Sequence, residues 1–201
     1  MSAQPPSVGN NREPSAGKDA ATGDQAQIAS RQSYFARTLA YRRLWVIAAI
    51  AFALDLVTKS MIAARLPFNS YGPGARIEVI RGFFNLVHVG NTGAAWSMFS
   101  GRSLGLAVVA VSALVAMFFW RRTLGLQYRG VQPAFGLLCG GILGNLVDRV
   151  RYGYVVDFLD VHFGNYVYPT FNVADSAICV GVFWYVLWSL RQPPVAAGSD
   201  K

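Results

Sequence analysis

With 201 residues, 53% of them hydrophobic and only 14% charged, the chain falls well below the ~25% charged share of soluble domains, and its mean hydropathy of +0.33 places it in a membrane class. The net charge of +8 does not imply nucleic acid: the arginines flank apolar runs, as membrane topology requires, and no basic stripe interleaved with aromatics is present. Cys139 and Cys179 lie inside apolar stretches with no CxxC or Cys/His company, which excludes a structural zinc site and predicts small, buried apolar roles.

Residues 1–40 are rich in Ser, Ala, Gln, Asn, Asp and Gly and lack apolar periodicity, which predicts a disordered cytoplasmic tail. No short apolar core follows a basic start there, so a cleavable signal peptide is not expected. The first apolar run spans 44–66. It carries Asp55 and Lys59, four apart on one helical face, with the acid N-terminal to the lysine as a favourable pair prefers. Two roles fit them: glue between helices with Lys59 snorkelling to the interface, or support of an active site.

The segment 67–102 is too long for a tight turn. Its stretches 76–80 and 83–89 are β-branched and aromatic, bounded by Gly72, Pro73, Gly74, Gly82 and Gly90, and predict two short strands in a small sheet on the outer membrane surface. Asn91-Thr-Gly-Ala-Ala-Trp (91–96) follows. Gly93, Ala94 and Ala95 there permit close backbone approach, Asn91 is suited to hold a substrate backbone, and Trp96 suits the interface.

Gly-Arg-Ser-Leu-Gly (101–105) matches the nucleophile-elbow pattern but opens a membrane helix rather than following a strand, so no serine nucleophile is expected. The second run covers 104–120 and the third 131–147. Gly136, Gly140 and Gly144 repeat at four and predict a packing face. Gly-Asn-Leu-Val-Asp-Arg (144–149) closes the third run. Asn145 can donate hydrogen bonds near a site or between helices, and Asp148 and Arg149 suggest a structural ion pair with the next loop. A second outer segment, 152–170, has strand character at 154–159 and 166–168, with Asp157 expected opposite in direction to Val156 and Phe158.

The fourth run, 173–190, opens on Phe-Asn-Val-Ala-Asp (171–175), where Asn172 is a good N-cap and Asp175 has capping-box spacing. Asp175 either complements the helix dipole or lies deeper than a cap requires. Each run approaches the ~20 residues that cross a bilayer, the second and third being short. Nine Lys and Arg fall on one side and five on the other, which predicts both termini in the cytoplasm, including a short tail at 192–201.

Outside the tails there are six acids: Asp55, Glu78, Asp148, Asp157, Asp160 and Asp175. The last four cluster at one membrane face, where ionisable groups are costly and point to function. Asp157 and Asp175 sharing one site would keep one carboxyl protonated and one ionised. That pair can activate water and protonate a leaving amine. His88 and His162 lie in outer loops without further metal-ligand company, and no metal is expected.

Together, Asp-Leu-Val-Thr-Lys (55–59), Asn-Thr-Gly-Ala-Ala-Trp-Ser (91–97), Gly-Asn-Leu-Val-Asp-Arg (144–149), Val-Val-Asp-Phe (155–158) and Phe-Asn-Val-Ala-Asp-Ser (171–176) resemble the lipoprotein signal peptidases, signal peptidase II, in order and spacing across about residues 42 to 190. The resemblance implies an α-helical polytopic membrane protein: four transmembrane helices, with a small β-cradle on the extracytoplasmic face of the bacterial inner membrane, in a peptidase domain over 41–191. It implies a catalytic dyad of Asp157 and Asp175. It also implies substrate-binding or supporting roles for Asp55, Lys59, Asn91, Gly93, Asn145, Asp148, Arg149 and Asn172.

The implied reaction removes the signal peptide of a bacterial prolipoprotein just before its diacylglyceryl-modified cysteine, with no metal or organic cofactor, by an enzyme acting as a monomer among membrane lipids. Two departures stand out: the long polar N-terminal tail, and Gly90 where the family often carries Arg. Two other readings compete. A small proton-coupled transporter would show internal repeats and midplane polar groups, and a packing scaffold would leave the clustered acids without a purpose. A presenilin-type protease would carry Gly-x-Gly-Asp, which is absent.

Overall fold

The computed structural model describes residues 40–72, 74–93 and 98–191. The two expected tails (save Ala40 of the first), Ala94, Ala95 and Trp96 lie outside the described residues. Helices α1 (Arg42–Arg65), α2 (Ser103–Phe119), α3 (Gln132–Tyr152) and α4 (Val173–Leu190) alternate with strands β1 (Ile77–Ile80), β2 (Phe84–Asn91), β3 (Val155–Phe163) and β4 (Tyr166–Val167). The strands form one antiparallel sheet in the order β1-β2-β3-β4.

α3 is the hub of the helices and packs on the other three. Its glycines make that possible. A Cβ at Gly136 would stand 2.8 Å from the Leu44 carbonyl oxygen and one at Gly140 2.6 Å from that of Ala48, so both residues press directly on α1. Gly144 lies against the Asp55 carboxylate, and Gly141 takes the close contact with Ala174 of α4. Small residues let backbones approach where no side chain could fit, the usual basis of helix association in lipid.

α1 and α4, at 24 and 18 residues and with mean hydropathies of 1.9 and 1.6, are long and apolar enough to cross a membrane, and α2 is a shorter apolar helix. The burial of α1 is inverted relative to a soluble helix. Trp45, Ile50, Leu54, Val57 and Met61 are exposed, while Asp55 and Lys59 are buried. Intramembrane charges facing the bundle interior give this pattern.

α3 continues past the apolar run that ends at Val147, reaching Tyr152. Asp148 and Arg149 do not end it, because both find partners within the fold. The helix stops where Gly153 adopts φ 77° as a left-handed C-cap, its N–H donating to the Arg149 carbonyl, a conformation that favours glycine.

In the sheet, β2 and β3 pair Asn85 with Asp160 and Val89 with Asp157, and the register shifts between Leu86 and Val89. This bulge lies beside Asp157, where such irregularities re-aim side chains. β3 is buried on both of its faces at its start. Val155, Val156, Asp157 and Phe158 are all buried, because Phe158 packs on Ile62 and Leu66 while the other side faces the helix ends.

Candidate active site

Asp157 on β3 is only 2% exposed. Its Oδ2 accepts from Asn91 Nδ2 over 2.9 Å and its Oδ1 from Asn172 Nδ2 over 2.7 Å. Asp175, in the first turn of α4, accepts from Asn145 Nδ2 over 2.8 Å at Oδ1 and from the Asn172 backbone N–H over 3.2 Å at Oδ2. Asn172 Oδ1 in turn accepts from the Asp175 N–H over 2.9 Å, completing a reciprocal capping box. Asn172 therefore touches both acids, and both border one cavity of about 270 Å³. Burial, reinforced by the charge of Asp175, pushes the Asp157 carboxyl up to about 7, and the amide donors of Asn91 and Asn172 offset part of this.

Behind the pair lies a buried polar cluster. Lys59 Nζ stands 2.7 Å from Asp55 Oδ2 and 2.9 Å from Asp148 Oδ2, and donates to Asn145 Oδ1 over 2.9 Å. The snorkelling predicted for Lys59 does not occur: two carboxylates on α1 and α3 hold it inward, with 4% exposure. Asp55 Oδ1 accepts the Ala174 N–H over 2.8 Å and so fixes the first turn of α4. Asp148 Oδ2 accepts the Val156 N–H over 3.1 Å and anchors the start of β3.

Asp148 is thus paired with Lys59 rather than with a loop cation. Arg149 departs from the predicted ion pair as well: its guanidinium donates to the Gly93 carbonyl over 3.1 Å and to the Asn145 carbonyl over 3.2 Å. The Gly93 N–H donates to Asn91 Oδ1 over 2.9 Å, so the 91–93 turn is held at both ends beside the cavity. All ten residues singled out from the sequence belong to this one connected cluster.

Other features were not foreseen. Cys179, expected to be buried, is exposed, and it borders the cavity one turn beyond Asp175. Asp160, which the sequence reading left without a role, is buried. Its Oδ2 accepts from Asn85 Nδ2 over 3.0 Å and lies 2.7 Å from His162 Nε2. The cross-strand register of Asn85 and Asp160 is the signal that links them, and it depends on a β2–β3 pairing that no local pattern specifies. At Gly90 a Cβ would lie 2.8 Å from Phe68 Cζ and 2.9 Å from Tyr154 Cδ2. The Phe68–Tyr154 ring pair, 5.4 Å between centroids, crowds this position, and a side chain at Gly90 would have to displace one of the two rings.

The model of the Signal peptidase (SPase) II family matches residues 47–191. The chain is 40% identical over 173 residues to the lipoprotein signal peptidase of Nitratidesulfovibrio vulgaris (strain DP4), covering 82% of this chain and 99% of the relative. It is 42% identical over 158 residues to that of Syntrophotalea carbinolica (strain DSM 2380 / NBRC 103641 / GraBd1), covering 75% and 92%. Two solved bacterial membrane enzyme structures share its fold. One has a TM-score of 0.63 at 34% identity over 72% of this chain and 85% of the other, and the second 0.59 at 33% identity over 74% and 92%.

Proposed function

The chain belongs to the signal peptidase II family, and from that premise we propose that Asp157 and Asp175 are its catalytic pair. The family's activity is the chain's: aspartic-type endoproteolysis of prolipoproteins in the bacterial membrane. The comparisons support this activity and give none to the transporter alternative. The observation that carries the dyad assignment is the bridge through Asn172, which ties two buried carboxyls to the rim of one cavity.

The chemistry follows from the pair's electrostatics. Two adjacent buried carboxyls cannot both ionise cheaply, so they hold one proton between them near neutral pH. The ionised member takes a proton from water as that water attacks the scissile carbonyl, and the protonated member donates to the departing amine. Asn91, Asn145 and Asn172 fix the carboxyl orientations, and Lys59 fixes Asn145 while balancing Asp55 and Asp148. Arg149 and Gly93 hold the 91–93 turn beside the substrate path.

In this reading all four helices of a 41–191 peptidase domain span the membrane, both termini are cytoplasmic, and the sheet and dyad lie near the extracytoplasmic face. The bond cut precedes a diacylglyceryl-modified cysteine, and one copy of the chain suffices. Cleavage of a lipid-modified prolipoprotein in detergent tests it. Asp157→Asn and Asp175→Asn should each lower turnover by roughly 10²- to 10⁴-fold while the protein stays folded. Wild-type activity in either variant overturns the dyad.

A further inference from the structure

The end of the bundle opposite the dyad carries a surface that proteolysis does not use. The start of α1, the segment 120–131 between α2 and α3, and the end of α4 meet there around Leu44, Leu126, Val131 and Phe135, with Tyr41, Tyr185 and Trp188 packed against them. Six arginines belong to this end: Arg42, Arg43, Arg121, Arg122, Arg129 and Arg191. All but Arg121 are exposed, and among the described residues none of the six forms an ion pair. The acids outside the tails lie elsewhere, beyond the third turn of α1, on the sheet, or where α3 and α4 adjoin the sheet. Neither tail can neutralise the patch. Residues 1–40 hold three acids against four Lys and Arg, and residues 192–201 hold one against one.

A basic loop that only sets helix orientation needs no fixed shape, yet this one is pinned to α4. Gly125, at φ 74°, lies so close under Trp188 that a Cβ would stand 3.0 Å from the ring. Trp184 Nε1 donates to the Gly130 carbonyl over 3.1 Å, and the Tyr128 ring lies 6.0 Å from that of Trp188. Gln132 Nε2 donates to the Leu126 carbonyl over 3.2 Å. Arg121 folds back 4.7 Å from the centre of the Phe118 ring and donates to the Phe118 carbonyl over 2.8 Å, which leaves Arg122 and Arg129 as the loop's exposed charges. Trp45, Trp120, Trp184 and Trp188, four of the five tryptophans in the chain, lie at this same end, as residues that settle at headgroup level do.

Resting on the reading that these helices cross the membrane, we propose that this face binds anionic phospholipid headgroups, with the segment 120–131 as a preformed platform. Guanidinium groups take phosphate oxygens in paired, charge-assisted hydrogen bonds. A zwitterionic headgroup brings its own cation to the same place, so an unneutralised cluster of arginines selects the anionic lipid. The tryptophans hold the arginines at the depth of the phosphates. Because the loop is ordered before lipid arrives, little conformational freedom is lost on binding.

The test places the full chain in vesicles of equal parts phosphatidylglycerol and phosphatidylcholine, with brominated acyl chains on one lipid or the other. Quenching of tryptophan fluorescence then reports which lipid stands beside this end. Wild type should favour phosphatidylglycerol about fivefold or more, the worth of one arginine at an anionic surface. Arg122→Gln combined with Arg129→Gln should bring the ratio towards one. Arg81→Gln combined with Arg151→Gln removes the same charge from exposed positions at the other end and should leave the ratio as in wild type. No preference in wild type, a preference that survives in the first double variant, or an equal loss in both overturns the lipid site. A chain that does not float with the vesicles overturns the membrane-spanning reading itself.

Discussion

Asn172 donates to Asp157 through its side-chain nitrogen while its side-chain oxygen caps the helix that carries Asp175. One residue thus performs a folding task and an orienting task with different atoms, and substitution can separate them. Asn172→Ser retains an oxygen acceptor suited to N-capping but loses the donor to Asp157. The variant should fold, by circular dichroism and thermal unfolding in detergent, yet cleave on the order of 100-fold more slowly, the scale on which a misplaced reacting group costs rate.

The shift of the Asp157 carboxyl to about 7 sets a pH dependence in two observables. With the proposed dyad, turnover needs the proton that Asp157 and Asp175 share, so kcat should fall as pH rises through about 7, and the pH profile of kcat checks it. Stability follows the same direction. Between the ordinary carboxylate value of 3.8 and about 7, the folded protein holds a proton that the unfolded chain has lost. This contribution is complete below the lower value and disappears as pH rises through the upper one. Asp157→Asn removes the dependence, so its melting temperature should gain on wild type as pH is raised across that window.

Lys59 joins two carboxylates and an amide with almost no solvent contact. Lys59→Met strands Asp55 and Asp148 as uncompensated buried charges, a change that costs about 3–5 kcal/mol. Thermal unfolding should show this loss. Lys59→Met combined with Asp55→Asn and Asp148→Asn should recover part of it, because the stranded charges are then gone.

Gly140→Ala places a methyl 2.6 Å from the Ala48 carbonyl oxygen of α1, well inside van der Waals contact. Backbone cannot yield as a flexible side chain does, so α1 and α3 must separate, at roughly 1–3 kcal/mol. Gly105→Ala on α2, where a Cβ meets nothing within 4 Å, is the matched control and should leave the melting temperature unchanged or raise it slightly.

What the sequence made legible was local. The capping box of Asn172 and Asp175 needs only a spacing of three, and the pairing of Asp55 with Lys59 only a spacing of four. The glycine face of α3 announced close packing by its period. Contacts across elements were not legible. Lys59 turns inward because Asp148 waits on a helix 89 residues away, and hydropathy ended α3 at Val147 because it counts charge as a boundary without knowing that the charge is paired. The role of Asp160 depends on a bulged strand register that leaves no trace in composition.

The hydrogen bond from the Ala174 N–H to Asp55 links the first helix to the last, across 119 residues of chain. The site therefore has no precursor on the ribosome. A nascent chain that has made its first three helices and the sheet holds Asp55, Lys59, Asn145, Asp148 and Asp157, but not the turn that Asp55 clasps. The proposed site is completed in a single late event, when α4, the last helix made, seats its first turn on the carboxylate of the helix made first.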